Sequence, residues 1–224
     1  KGGINLFGTV VDVSCFGGND GSASISISNA TLPVAIHWSN GASNVTNISN
    51  LVAGNYSVTV TDAIACVEVK NFIIQQPPVI SVSGNVSNVL CNGQNTGSVS
   101  LTVSGGTPGY TFQWSNGAST QNISGLTAGN YSVTVTDSKG CKSIHSYTVA
   151  QPLVLSVSGI IVNPTCYNGA NGSISITVSG GTPNFAYNWS NGSTTKDISG
   201  LSAGNYSITV TDANGCSKTT SFTI

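Results

Sequence analysis

The reactive chemistry of this chain lies in six cysteines at Cys15, Cys66, Cys91, Cys141, Cys166 and Cys216. They form two interleaved series, each advancing by 75 or 76 residues. A thiol can bond another thiol, hold a metal or act as a nucleophile. Zinc favours short Cys-to-Cys spacings or histidines close by, and neither is present. His37 and His145 stand at non-equivalent places and read as ordinary surface residues. Repeat symmetry selects Cys15–Cys66, Cys91–Cys141 and Cys166–Cys216, one disulfide per unit, each clipping one end of its unit. Closing a loop of about 50 residues stabilises by roughly 4 kcal/mol in the chain-entropy model. Persistent disulfides place the chain in oxidising surroundings outside the cytoplasm.

Other chemistry is sparse. Hydrolysis needs a nucleophile with its base or paired carboxylates, and the chain has seven acids in all. One acid recurs, as Asp62, Asp137 and Asp212. It reads as an Asx-type turn, its carboxylate accepting nearby backbone N–H groups. Calcium would want several clustered acids. Asp20, in Gly17-Gly18-Asn19-Asp20-Gly21, has no acidic counterpart in the other units. No catalytic residue, metal ligand or cofactor is assigned, and the chain is expected not to be an enzyme.

Only 6% of the 224 residues are charged, the formal net charge is −1 and arginine is absent. Phosphate recognition needs clustered Lys or Arg, so nucleic acid is excluded as a partner. No run of about 18 apolar residues exists to insert into a membrane. The chain has no Met, no signal-peptide pattern at Lys1, and ends within the strand-like Ser221-Phe222-Thr223-Ile224. It is expected to be a segment of a longer protein.

The elements that position the cysteines repeat with them. Trp38, Trp114 and Trp189 each open a Trp-Ser-Asn-Gly tetrapeptide. Leu51-Val-Ala-Gly-Asn-Tyr-Ser-Val-Thr-Val-Thr-Asp62 returns as Leu126 to Asp137 and as Leu201 to Asp212. Short, stiff proline seams at Gln75-Gln76-Pro77-Pro78 and Gln151-Pro152 set the expected boundaries: 1–76 (the divergent copy), 77–151 and 152–224. Period-two alternation, as in Ser98-Val99-Ser100-Leu101-Thr102-Val103 and Tyr131-Ser132-Val133-Thr134-Val135, marks half-buried antiparallel strands. With Gly-Gly-Thr-Pro, Asn-Gly and Ala-Gly-Asn turns between them, each unit holds about six or seven strands. The fold class is all-β: three tandem immunoglobulin-like β-sandwich repeats of about 75 residues. The Trp of each copy is expected in the core, and the Tyr after each Ala-Gly-Asn at a tyrosine corner.

The sequence Gly105-Gly106-Thr107-Pro108, Trp114-Ser115-Asn116-Gly117 and then Leu126 through Gly140-Cys141 resembles the SprB repeat, and the pattern recurs from Gly180 to Cys216. The resemblance implies very large cell-surface adhesins of gliding Bacteroidota, exported by the type IX system and moved along the cell to drive gliding. The first copy departs from it at Ser28 to Pro33 and at Ala65, where the others have Gly140 and Gly215. Its two turns are expected to differ in shape.

The expected role is a structural or adhesive repeat segment of a long filament on the bacterial cell surface. Its expected partners are the other repeats of the chain. Self-association into fibres is also expected, because few Lys guard the strand edges. The alternative is an extracellular polysaccharide-binding module, with Phe16 and Tyr167 as stacking platforms, although the middle copy has Asn92 there.

Overall fold

The computed structural model describes residues 3–224, which contain strands and turns but no helix. The chain divides into two compact units. One comprises Lys1–Ser83, Thr102–Thr120 and Val133–His145, and the other Gly84–Leu101, Gln121–Ser132 and Ser146–Ile224.

The first repeat shows how the alternation becomes a sandwich. Its strands are β1 (Asn5–Val11), β2 (Gly21–Ser28), β3 (Ala35–Trp38), β4 (Asn47–Leu51), β5 (Gly54–Thr61) and β6 (Val67–Ile74). They form two antiparallel three-stranded sheets, β1-β2-β4 and β3-β5-β6. This is the immunoglobulin-type division, first, second and fifth strands against third, sixth and seventh, with the fourth left out. Ala23 and Ile25 of β2 face Val58 and Val60 of β5 across a core that also holds Ile36, Trp38 and Ile74. The intervening Ser22, Ser24, Ser57 and Thr59 point away from the most buried positions.

The second repeat has β7 (Ser81–Ser87), β8 (Gly97–Ser104), β9 (Thr111–Trp114), β10 (Ile123–Leu126), β11 (Gly129–Thr136) and β12 (Lys142–Val149). The third has β13 (Ser156–Val162), β14 (Gly172–Ser179), β15 (Ala186–Trp189), β16 (Ile198–Leu201), β17 (Asn205–Thr211) and β18 (Ser217–Thr223). Both keep the strand order of the first. The count is thus six per repeat. The fourth strand is too short to show alternation and is kinked by a left-handed residue, Asn50, Gly125 or Gly200, at a register shift. The closing strand of the middle copy alternates exposed and partly buried side chains from Lys142 and buries only its last residue, Val149.

The aromatic expectations hold. Trp38, Trp114 and Trp189 are buried, and their indole N–H groups donate to the carbonyls of Val45, Thr120 and Thr195 at 2.9–3.0 Å. Tyr56, Tyr131 and Tyr206 donate back to the carbonyls of Val52, Thr127 and Ser202 at 3.0–3.1 Å, which is the tyrosine corner. A feature outside the sequence reading joins the two sheets. A glycine of the first strand lies beneath an aromatic ring of the last, Gly8 under Phe72, Gly84 under Tyr147 and Gly159 under Phe222. A Cβ at Gly8 would come within 2.4 Å of the Phe72 ring. The pairs recur at the repeat spacing, and that recurrence was the available signal.

Of the two turns expected to change shape in the first copy, one does not. Ala65 adopts φ 63°, beside 85° and 82° at Gly140 and Gly215. Its N–H bonds the Asp62 carbonyl at 3.0 Å, as Gly140 bonds that of Asp137. The other turn does depart, with a cis Leu32–Pro33 bond and Asn29, at φ 59°, in the place of Gly105. A left-handed alanine costs about 1 kcal/mol relative to glycine. Ala65→Gly is therefore expected to raise stability by about 1 kcal/mol in denaturant unfolding, the reverse of the usual effect of that substitution.

Candidate functional site

The recurrent acid builds the site. Asp62, Asp137 and Asp212 immediately follow the fifth strand of each repeat and are buried. In the second copy, Oδ1 of Asp137 accepts the N–H groups of Lys139 and Cys141, each at 2.9 Å, and Oδ2 accepts that of Thr107 at 2.8 Å. Asp212 does the same for Asn214, Cys216 and Thr182. Asp62 does so for Ile64, Cys66 and Thr31. The Asx-turn reading is correct as far as it went, but the second oxygen also reaches the turn after the second strand. Burial pushes each carboxyl upward, and the backbone N–H bonds outweigh it, leaving all three below the ordinary value of 3.8.

The acid thereby fixes the cysteine that follows it, and the partner of that cysteine lies in the neighbouring repeat. Cys15 is bonded to Cys141 and Cys91 to Cys216, while Cys66 and Cys166 are free thiols. This corrects the pairing expected within each repeat and the count of one disulfide per repeat. The physical reason is distance along the last strand. Cys66 stands at the start of β6, whereas the Cys15 loop is tied to its far end. Val13 N–H donates to the Gln75 carbonyl at 2.9 Å, and Gly17 N–H to the Gln76 side chain at 2.7 Å. Eight strand residues span about 26 Å, far beyond the roughly 7 Å Cα separation a disulfide tolerates. The bonded pair Cys15–Cys141 has 5.6 Å. Symmetry alone could not separate pairing within a repeat from pairing one repeat onward.

The proline seam runs through the same place. Gly106 N–H donates to the Pro78 carbonyl at 2.8 Å, and Gly181 N–H to that of Leu153 at 2.9 Å. A Cβ on Gly105 would stand 1.9 Å from the Val79 oxygen, and one on Gly180 2.0 Å from that of Val154. The Gly-Gly of Gly-Gly-Thr-Pro is thus the space the incoming seam occupies. The loop after each first cysteine has its own cap at a fixed offset. Asp20 accepts Ser14 N–H at 2.9 Å, Thr96 accepts Leu90 N–H at 2.9 Å, and Asn171 accepts Thr165 N–H at 3.2 Å. Asp20 therefore has functional counterparts that are not acidic.

Beside each disulfide lies an open cleft. The one at Cys15–Cys141, about 370 Å³, is lined by Phe16, Pro78, Ile80 and Lys142. At the second junction the Asn214 side-chain amide donates to the Leu90 carbonyl at 3.1 Å, and the Asn92 side chain to that of Pro152 at 2.9 Å. Tyr167 is 96% exposed. His37 is exposed, and His145 is half-buried with its Nε2 2.9 Å from the Ser143 hydroxyl. Among the described residues, no three His, Cys, Asp or Glu side chains gather as a metal site would need.

Fold and site together define a tandem array of immunoglobulin-type sandwiches cross-linked from one repeat to the next. The SprB repeat model matches residues 8–43, 83–119 and 158–194, and the chain belongs to the SprB repeat family. Each matched segment runs from the first strand past Trp-Ser-Asn-Gly and stops before the tyrosine corner and the second cysteine. No curated protein matches by sequence. Solved structures with related strand layout are tandem immunoglobulin domains. One is the N-terminal eight Ig domains of DSCAM isoform 1.30.30, 11% identical, with TM-score 0.43 over 97% of this chain and 34% of that one. The chain therefore spans about a third of that structure. Another is Dpr2 Ig1-Ig2 in complex with DIP-Theta Ig1-Ig3, 12% identical, TM-score 0.34, covering 99% of each chain. Drosophila OTK extracellular domains 3-5 are 11% identical, TM-score 0.30, covering 97% and 90%. With these scores below 0.5, the fold assignment rests on the strand order itself.

Trypsin reads the pairing directly, because it cuts only after the six lysines. In a non-reducing digest, the Gly140-Cys141-Lys142 tripeptide is expected on the peptide 2–70 that carries Cys15, and peptide 71–139 on peptide 197–218. The tripeptide on peptide 71–139 would restore the pairing within repeats. The carboxylates give an acid dependence of known sign. Their folded pKa values lie below the unfolded ones, so their contribution is complete above about pH 4 and is lost as pH falls through the folded values. Stability of the chain is expected to drop below about pH 4, and less steeply in Asp137→Asn, in acid titrations followed by tryptophan fluorescence.

Proposed function

We propose that this chain is a tension-bearing structural segment of a bacterial cell-surface adhesin or filament, exported to the outside and not an enzyme. Membership in the SprB repeat family supports the surface role, and gliding motility and type IX export are the finer reading that membership suggests. The observation that carries the proposal is the inter-repeat disulfide. Each bond places a proline seam inside a covalent loop, of 126 residues for one and 125 for the other. Cross-linking a loop of that length is worth about 5 kcal/mol in the chain-entropy model. It also makes the joint between repeats, ordinarily the weakest point of such an array, a closed one. Thiols stay paired in this way outside the cytoplasm. The folding units are taken as 1–76, 77–151 and 152–224.

Association of repeats into fibres fits the exposed apolar residues Val67, Val69 and Ile73 on β6, which are 58%, 52% and 64% exposed on a strand at a sheet edge. No helix among the described residues is long and apolar enough to cross a membrane. The second reading, stacking of surface polysaccharide on Tyr167, draws on the exposure of that ring; at the equivalent position Asn92 contacts the seam instead. A glycan array with the chain separates the two. Electron cryotomography of producing cells, labelled with antibody to this chain, is expected to show labelled filaments leaving the envelope. Label confined to shed soluble protein would refute the proposal.

A further inference from the structure

The two disulfide junctions are built alike, and they differ at the residue that follows each cysteine. At the Cys91–Cys216 junction those residues are Asn92 and Ser217, and the Asn92 side chain is engaged with the seam, donating to the Pro152 carbonyl at 2.9 Å. At the Cys15–Cys141 junction they are Phe16 and Lys142. Phe16 has no polar side chain to give the seam, and its ring stands 57% exposed. Phe16 and Lys142 line one open cleft of about 370 Å³ beside Pro77, Pro78 and Val79, a volume within the range of small-ligand sites. All of its lining residues lie in the first of the two compact units. The backbone around it is already committed. Pro77 and Pro78 carry no N–H, and the Pro78 carbonyl accepts Gly106 N–H. The N–H groups of Gly140 and Cys141 bond Asp137, and both carboxylate oxygens of Asp137 are occupied by N–H groups. The cleft therefore offers a ligand an aromatic face, aliphatic walls and a lysine ammonium, and little main chain.

We infer that this cleft binds a sugar acid of an extracellular polysaccharide, with the C–H face of its pyranose ring on Phe16 and its carboxylate on Lys142. An aromatic ring covers the apolar face of a pyranose and leaves the hydroxyls at the ring edge in water, which an open cleft permits. The lysine ammonium supplies the charge-assisted hydrogen bond that selects an anionic unit over a neutral one. An acidic peptide is the other polyanion such a site meets, and it fits less well. Its own N–H and C=O groups would be covered with few main-chain partners in reach, which costs free energy. The second junction, with Asn92 and Ser217 in the two places, lacks this pairing of aromatic ring and cation. Its lysine, Lys218, stands one residue further along the strand, in the cleft beside that disulfide. The inference rests on the polysaccharide reading given above and carries it from Tyr167 to a different site.

The test titrates the full oxidised chain with a galacturonic acid oligosaccharide by calorimetry at low salt, with dextran as the neutral control and polyglutamate as the peptide control. Phe16 and Lys142 are both exposed, so Phe16→Ala and Lys142→Gln are expected to keep the fold, as tryptophan fluorescence reports. Each is expected to weaken binding of the oligosaccharide by about tenfold or more. Lys218→Gln makes the same charge change at the other junction, and it and Tyr167→Ala are expected to leave binding unchanged. Dextran or polyglutamate bound as tightly as the oligosaccharide would overturn the inference, as would Lys218→Gln weakening binding as much as Lys142→Gln. Loss of binding in Tyr167→Ala with Phe16→Ala unaffected would also overturn it, and would leave the polysaccharide reading standing at Tyr167. No binding to either carbohydrate would end both.

Discussion

A carboxylate taken out of water must be met by donors, and three recurrent aspartates meet that demand with backbone N–H groups from two different turns. One oxygen organises the loop that carries the second cysteine, and the other holds the Thr of the turn after the second strand. That turn places two glycines where the seam from the preceding repeat passes against them. The cysteine therefore faces the neighbouring repeat because an acid at the end of a strand has its bonds satisfied locally. Removing the carboxylate would free the cysteine loop and the seam turn at once.

The topology of the bonds matters more than their number. Three disulfides within repeats would staple each sandwich and leave each joint to a single stretch of backbone. The observed bonds run 15 to 141 and 91 to 216, and their loops overlap between residues 91 and 141. A single backbone cut anywhere between Cys15 and Cys216 leaves the chain in one piece. The sandwiches can dispense with staples of their own because their cores already contain a buried Trp, a tyrosine corner and an aromatic ring seated on glycine. Closing the joints adds more to such an array than reinforcing cores that are already closed.

The fold was legible because its signals are local. Alternation in Ser98–Val103 and Tyr131–Val135 marks strand faces, and repetition turns one readable unit into three. The tryptophans, the tyrosine corners and the Asx role of Asp137 followed from residue type and neighbourhood. The fourth strand was not legible, since four residues with a left-handed kink at Gly125 leave no period to detect. Nor was the disulfide pairing, because a regular spacing is satisfied equally by a bond within a repeat and by one shifted a repeat onward. What decides between them is which end of the sandwich each cysteine occupies. That follows from Val13 and Gly17 bonding to the end of β6, a contact about 60 residues away in sequence.

Around its aspartate, the first repeat keeps the same geometry with different residues. Its Asp62 still holds the N–H groups of Thr31 and Cys66, and Ala65 takes a left-handed conformation that costs it something to keep the cysteine loop in shape. Asn29 stands in the place of Gly105 and keeps its left-handed backbone, at φ 59° beside 76°. The cysteine loop of each repeat is therefore held by its own aspartate, and a left-handed residue before the cysteine, alanine or glycine, completes it.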